Sequence, residues 1–386
     1  MSMAPPNPLR RIRLDQVGSF LRPEWLKSAF LAHARGRLPM DALVAEQDRA
    51  IREVVAKQRA LGLPFVTDGE YRRLNRQVSF SAVEGWDLWP GTWAAFLKSP
   101  SNMAEGERPN ARGLDTVVSA RTPATGRLRL AESFPLKELR FLREAAPDIP
   151  AKITLMGPDR VCQMCDVPGS APHYADADAF LADVVAIQRR MAEELVAAGC
   201  AYLQLDEPSY TGYVDPATLA RMKERGEDPL RNLRRAVEAD NAVVAGLAGR
   251  VVTGLHICRG NRASMWHREG AYDAIAETVL GGLKFDRLIL EYDTSRAGGF
   301  EPLRFLPKGG PMVVLGLVTT KSGEVETVEA LLRRVEEAAR FVDLDQVAIS
   351  PQCGFASGIG GNMLSETEQW RKIEVLQETA RRIWGG

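Results

Sequence analysis

His256 and Cys258 close the apolar run Val251-Val-Thr-Gly-Leu-His-Ile-Cys258, and in an extended chain residues two apart point the same way. Glu291 ends a similar run, Leu288-Ile-Leu-Glu291, and Cys353 follows Val347-Ala-Ile-Ser-Pro-Gln. All four groups therefore stand at the carboxyl ends of expected strands. One imidazole, two thiols that can ionise and one carboxylate make a tetrahedral donor set suited to Zn²⁺. An isolated His-x-Cys pair is ordinarily a packed histidine and a buried thiol; the recurrence of Glu291 and Cys353 at matching strand ends brings the metal reading level with that one. Zinc would lower the pKa of a small thiol, ~8.5 when free, and so deliver a thiolate nucleophile for alkylation. His256 and Glu291 are the candidate catalytic residues, with Glu291 able to yield its place to the incoming sulfur.

Ligands from three different strands converge only if the sheet curls onto itself, so the metal and the fold depend on each other. Short apolar runs alternate with amphipathic helical stretches, the mark of parallel α/β architecture. Strands are expected over Gln16–Phe20, Pro64–Asp68, Lys152–Met156, Ala201–Asp206, Val251–Cys258, Arg287–Asp293, Met312–Val318 and Gln346–Ser350. Helices are expected over Asp41–Leu61, Asp178–Ala198, Pro216–Leu247, Tyr272–Gly281, Glu326–Phe341 and Ser365–Ile383. This pattern closes naturally into a (β/α)₈ TIM barrel, whose active sites lie at the carboxyl-terminal face. Periodicity alone leaves a doubly wound open sheet as the alternative. Residues 78–130, rich in Trp, Ser, Pro and Gly, read as an insertion near the barrel mouth, with a hairpin over Thr116–Leu130 turning at Ala124–Gly126. Residues 1–386 then form one catalytic domain, with Met1–Leu9 as a loose arm.

The 386 residues carry 50 Lys plus Arg against 50 Asp plus Glu, and 45% are hydrophobic. A chain of zero formal charge without a basic stripe is not built for nucleic acid. The longest apolar runs, such as Pro311–Val318, are strand length and too short to span a bilayer. The first residues show no apolar leader core, so the expected location is the cytoplasm. Five cysteines make no disulfide framework in so long a chain. Cys162 and Cys165 have redox or zinc-knuckle spacing, but no second pair completes a four-cysteine site, and with Cys200 they read as structural. His173 and His267 read as loop histidines. The loop Ser357-Gly-Ile-Gly-Gly-Asn362, with Arg259 and Arg262, is either an anion cradle or a flexible turn. The expected partners are a small thiol and an alkyl donor, and a homo-oligomer is compatible with the sequence.

Six strings lie along most of the chain: Val17-Gly-Ser-Phe20, Val66-Thr-Asp-Gly-Glu-Tyr-Arg72, Leu205-Asp-Glu-Pro208, His256-Ile-Cys258, Leu290-Glu-Tyr-Asp293 with Thr294-Ser-Arg296, and Ser350-Pro-Gln-Cys-Gly354. Each is weak alone. Together they make the chain resemble the cobalamin-independent methionine synthase family, in its catalytic carboxyl-terminal barrel and its short single-barrel members, such as proteins like epoxyalkane:coenzyme M transferase. The resemblance implies zinc held by His256, Cys258, Cys353 and Glu291, with Asp293, of the same strand parity, as the alternative to Glu291. It also implies that Ser19 holds the carboxylate of homocysteine while Glu70 and Asp206 hold its amine. Two carboxylates beside a bound ammonium offset their own desolvation.

Two departures from the family bear on the alkyl donor. Folate-using members carry an acid histidine in the loop after strand 7, where this chain reads Leu317-Val-Thr-Thr-Lys-Ser-Gly323. They also have a second, amino-terminal barrel for which this chain has no room. Both argue against methyltetrahydrofolate and leave an epoxide or another methyl donor open. The rival readings are a metal-free decarboxylase of the uroporphyrinogen type and a non-catalytic zinc- or thiol-binding barrel.

Overall fold

The computed structural model of the chain describes residues 7–87 and 121–385. Six parallel strands pair in sequence order: β3 (Lys152–Met156), β4 (Tyr202–Asp206), β5 (Val252–Ile257), β6 (Arg287–Glu291), β7 (Met312–Val318) and β8 (Val347–Pro351). A separate antiparallel pair joins β1 (Val83–Glu84) to β2 (Arg129–Leu130). The parallel sheet does not end at its edges. Leu14 pairs with Ile349 beside β8, Ser19 with Gly69, and Val66 with Ala151 beside β3. Backbone bonds from Asp15 N to Ile349 O (2.9 Å), Phe20 N to Gly69 O (3.2 Å) and Lys152 N to Val66 O (2.9 Å) complete the ring. Residues 14–19 and 66–69 are thus the first two staves of a closed (β/α)₈ barrel. Every residue of β3 to β8 is buried, as a strand covered by helices outside and by packed side chains inside must be.

The barrel interior is layered. At its amino-terminal end the first residues of β3, β4 and β6 converge on Asp15. Lys152 Nζ lies 2.9 Å from Asp15 Oδ1, while Arg287 Nε and the Tyr202 hydroxyl each donate to Oδ2 at 2.9 Å. Burial pushes the Asp15 carboxyl upward, but Lys152 and Arg287 outweigh it and hold the pKa below the usual range. Above this plug Val17, Ile289, Met312, Val314 and Ala348 pack together. Gly254 makes room there, because a Cβ would come within 2.8 Å of the Tyr202 hydroxyl and 3.1 Å of Ile289. The third layer, at the carboxyl ends, is polar again and carries the site.

The expected helix Pro216–Leu247 is two helices, Pro216–Glu224 and Pro229–Val244. Gly226 sits at φ +69°, Pro229 has no N–H to continue the ladder, and Asp228 caps the second helix by accepting from Leu230 N and Arg231 N. Helices Glu24–Ala34 and Phe134–Ala145 were not foreseen. Within the insertion, the first arm of the expected hairpin, 116–120, lies outside the described residues. Arg129–Leu130 aligns with Val83–Glu84, and Thr122 bridges to Cys165 beyond the carboxyl end of β3. The remainder of that segment, 88–120, and Met1–Pro6 of the expected arm lie outside the described residues. Among the described residues no helix is long and apolar enough to cross a membrane.

Candidate metal centre at the barrel mouth

Strand β5 delivers His256, the residue just past its end is Cys258, and the turn after β8 brings Cys353 to meet them. One ligand atom from each lies within 4.8 Å of the others, and all three residues are buried. Neither ring nitrogen of His256 has a hydrogen-bond partner. Burial alone would lower its pKa, yet the adjacent Cys258, then Asp206 and Glu291, raise it on balance. A buried imidazole with both nitrogens unsatisfied beside two thiols fits a metal ion, which would satisfy the groups that burial leaves bare. The backbone here is fixed from outside the cluster. The Thr211 hydroxyl donates to Cys258 O at 2.9 Å, and Asn261 Nδ2 donates to Gly354 O at 2.6 Å. Gly354 has to be a glycine, since a Cβ would stand 2.0 Å from Ser19 Oγ.

Glu291 borders this cluster without joining it. Its Oε2 accepts from the backbone N–H of Arg259 at 2.9 Å. Its Oε1 has no hydrogen-bond partner and is flanked by Arg296 Nη2 at 3.5 Å and Lys321 Nζ at 4.0 Å. Burial raises the Glu291 pKa, and Lys321 is the chief opposing influence. Asp293, the alternative ligand, is drawn to Arg296 instead, at 3.5 Å.

The three expected thiol-binding residues end at the same mouth. Ser19 is paired with Gly69, one residue before Glu70, and its hydroxyl accepts from Ala356 N at 3.3 Å. Glu70 holds a left-handed backbone, φ +59°, which is costly for a residue with a side chain and aims its carboxylate inward. There Oε1 accepts from Thr154 at 2.7 Å and lies 3.4 Å from Arg73. In the ladder Thr154 is level with Gln204, whose amide donates to Asp206 Oδ1 at 2.7 Å. Asp206 is itself level with His256. Glu70, Asp206 and the His256–Cys258–Cys353 group are therefore linked through neighbouring inward side chains of β3, β4 and β5.

Sequence reasoning missed the residues that hold these loops together. Arg22 is buried and donates to four carbonyls: Glu70 O (2.6 Å) and Arg73 O (2.8 Å) on one side, Ala356 O (3.3 Å) and Gly358 O (3.1 Å) on the other. Asn362 ties the loop after β5 to that after β7, donating to Asn261 Oδ1 at 2.8 Å and Thr320 O at 2.7 Å. The glycine loop 357–362 is thus bound at its end by a built network. His173 is bonded at its backbone N–H to Ser170 O, in the loop before helix Ala177–Ala197.

A family model described as the catalytic domain of cobalamin-independent synthase matches residues 148–369, which include Asp206, His256, Cys258, Glu291 and Cys353. The uncharacterized protein YxjH of Bacillus subtilis is 35% identical over 373 residues, 96% of this chain and 94% of that one. A methionine synthase of Pyrococcus abyssi is 24% identical over 341 residues, covering 88% of this chain and 84% of its own. Among solved structures, a putative vitamin-B12-independent methionine synthase from Listeria monocytogenes superposes with a TM-score of 0.74 at 28% identity, over 97% of this chain and 98% of that one.

Proposed function

Because the chain belongs to the cobalamin-independent synthase family, we propose that it is a zinc-dependent transferase acting on a small thiol. It would take homocysteine or a coenzyme M-like compound as the thiolate and place a methyl or other alkyl group on its sulfur. The observation that carries this reading is the buried convergence of His256, Cys258 and Cys353 at the mouth where Ser19, Glu70 and Asp206 also end. His256, Cys258 and Cys353 would hold the zinc ion, with Glu291, or Asp293 in its place, as the fourth ligand. Bound zinc lowers the pKa of a thiol enough to supply a nucleophilic thiolate at neutral pH. The chain's own groups do the rest. Glu70 and Asp206 pair with the ammonium of an amino-acid thiol, Ser19 and its backbone receive the carboxylate, and the buried walls keep water from the reacting atoms. Free cysteines in the working site suit a reducing cytoplasm, and the whole chain reads as one catalytic domain. Metal analysis tests the reading: about one zinc per chain is expected in the purified protein. Full zinc in both His256→Ala and Cys353→Ser would sink it.

The loop after β7 bears on the alkyl donor. Thr320 donates its hydroxyl to Gln352 Oε1 at 2.6 Å and is occupied in holding the loop after β8. No histidine stands in residues 317–323 to protonate a folate leaving nitrogen. General-acid help of that kind is worth roughly 10²–10⁴ in rate, so methyltetrahydrofolate should turn over slowly or not at all. A short epoxide or methylcobalamin needs less help. Homocysteine and coenzyme M offered against these three donors should show the order, and fast turnover with methyltetrahydrofolate would mean that another group serves as the acid.

A further inference from the structure

Glu138 stands on helix Phe134–Ala145, which packs against β3, and its side chain has no exposed surface. Both of its oxygens accept from Arg73: Nε donates to Oε1 at 2.7 Å and Nη2 to Oε2 at 2.6 Å. The rest of the guanidinium turns to Thr154, with Nη1 donating to the hydroxyl at 2.8 Å and Nη2 to the carbonyl at 2.9 Å. Arg73 therefore approaches Glu70 only at 3.4 Å, and the short bond to the Glu70 carboxylate, 2.7 Å, comes from the uncharged Thr154 hydroxyl. A planar guanidinium that closes a two-pronged pair with one carboxylate has little left for a second. Charge points the same way. Asp68, Glu70 and Glu138 share this buried patch with two guanidiniums, Arg73 and Arg22. With all three acids ionised the patch is one positive charge short. The Glu70 side chain, 9% exposed against 0% for Glu138, is where a cation can enter to make up the difference.

We propose that Glu138 is a positioning residue for substrate choice: by holding Arg73 it leaves the Glu70 carboxylate short of a counter-charge, and the site then prefers thiols that carry an amine. The proposal rests on Glu70 receiving an ammonium, as in the function proposed above, and adds the group that keeps Glu70 able to do so. Burial pushes Glu138 up to about 7, with Arg73 opposing and Asp68 and Glu70 adding to the rise; these are the charged groups that face it. When Glu138 takes a proton, Arg73 is released to Glu70, so the preference for the amine weakens as pH drops through that value.

The test is a ratio of affinities, read by calorimetric titration of the whole zinc-loaded chain with homocysteine and with γ-sulfanylbutyrate, the same thiol acid without the amine. Both ligands bring the same sulfur and carboxylate, so the ratio reads the amine alone and general damage to the site cancels from it. Glu138→Gln should cut the ratio by about tenfold, because Arg73 then neutralises Glu70. Arg73→Met combined with Glu138→Leu removes one charge of each sign, a change that buried pairs tolerate, and should return the ratio to within about threefold of wild type. A merely structural pair would leave the ratio alone in the single variant. In the wild type the ratio should fall by about threefold or more from about pH 8 to about pH 6, and the paired variant should lose that fall. A Glu138→Gln ratio equal to wild type, a paired variant as poor as Glu138→Gln, or a wild-type ratio flat with pH would overturn the proposal. Should Glu138→Gln fail to fold, the paired variant and the wild-type pH profile still decide. A wild type that binds both thiols equally would remove the amine site itself, a result distinct from a selective wild type whose preference ignores Glu138.

Discussion

Cys162 and Cys165 have the spacing of a redox pair, but the structure gives them no nucleophilic chemistry. Burial pushes the Cys162 thiol up to about 12, and burial also raises Cys165, whose sulfur lies 3.5 Å from the Ser170 hydroxyl. A thiol so raised is protonated at neutral pH and inert. Cys162→Ser and Cys165→Ser should therefore leave zinc content and thiol binding unchanged, whereas Cys353→Ser should lose most of its metal; parallel metal analysis of the three variants checks this. Glu70→Gln and Asp206→Asn should weaken homocysteine far more than a thiol without an amine, such as coenzyme M, because only the first presents an ammonium to pair. Equal losses for both thiols in a calorimetric titration would remove these residues from the amine site. The meeting of His256, Cys258 and Cys353 was legible in the sequence because these residues are chemically distinctive and sit at or just beyond strand ends. Lys321 and Arg22 were not, since a lysine or arginine in a loop is ordinarily solvated and nothing local announces its burial.

Behind β4, outside the barrel, three carboxylates are buried together. Glu207 accepts from Asp159 N (3.0 Å), Arg160 N (3.2 Å) and Ser209 N (3.2 Å), so it anchors the short helix Pro158–Cys162 to the end of β4. Asp240 accepts from the Tyr210 hydroxyl at 2.6 Å, with its other oxygen unpartnered. Burial, then the neighbouring Asp159, pushes Glu207 up to about 8; burial, then Glu207, pushes Asp240 well above the carboxylate range. Carboxyls raised in this way bind protons more tightly in the folded chain than in the unfolded one. Their contribution is present at low pH and is lost as pH rises through the folded values, opposite to a salt-bridged acid. Thermal stability should fall between about pH 5 and 8, and Asp240→Asn should flatten that fall. A melting temperature that rises over this range in the wild type would show that these groups are ionised in the fold. The Asp-Glu-Pro string marked a strand end in the sequence, yet its partners Asp159 and Asp240 lie on other elements. The same blindness explains the helix read as continuous over Pro216–Leu247, where the apolar period persists through Gly226 and Pro229 although the backbone cannot.

At the scale of the whole molecule, closure depends on contacts between residues far apart in sequence. The strand rhythm suggested eight staves, and six appear within a residue or two of their expected bounds. That the ring shuts is visible only in the pairing of Leu14 with Ile349 and Val66 with Ala151. Asp15 locks that closure by joining the first stave to β3, β4 and β6. Asp15→Asn leaves Lys152 and Arg287 buried without their counter-charge and should cost roughly 3–5 kcal/mol in denaturant unfolding. Since the Asp15 pKa is lowered in the fold, its stabilisation holds above the unfolded value near 3.8 and should vanish as pH drops below it. A loss under about 1 kcal/mol would place the lock elsewhere. In the proposed function, closure of the barrel brings the strand-end groups after β5 and β8 to one thiol. X-ray absorption at the zinc edge tests that most directly, on zinc-loaded protein before and after homocysteine or coenzyme M is added. The sulfur count should rise from two, from Cys258 and Cys353, to three; a shell unchanged by either thiol would contradict thiol activation at this site.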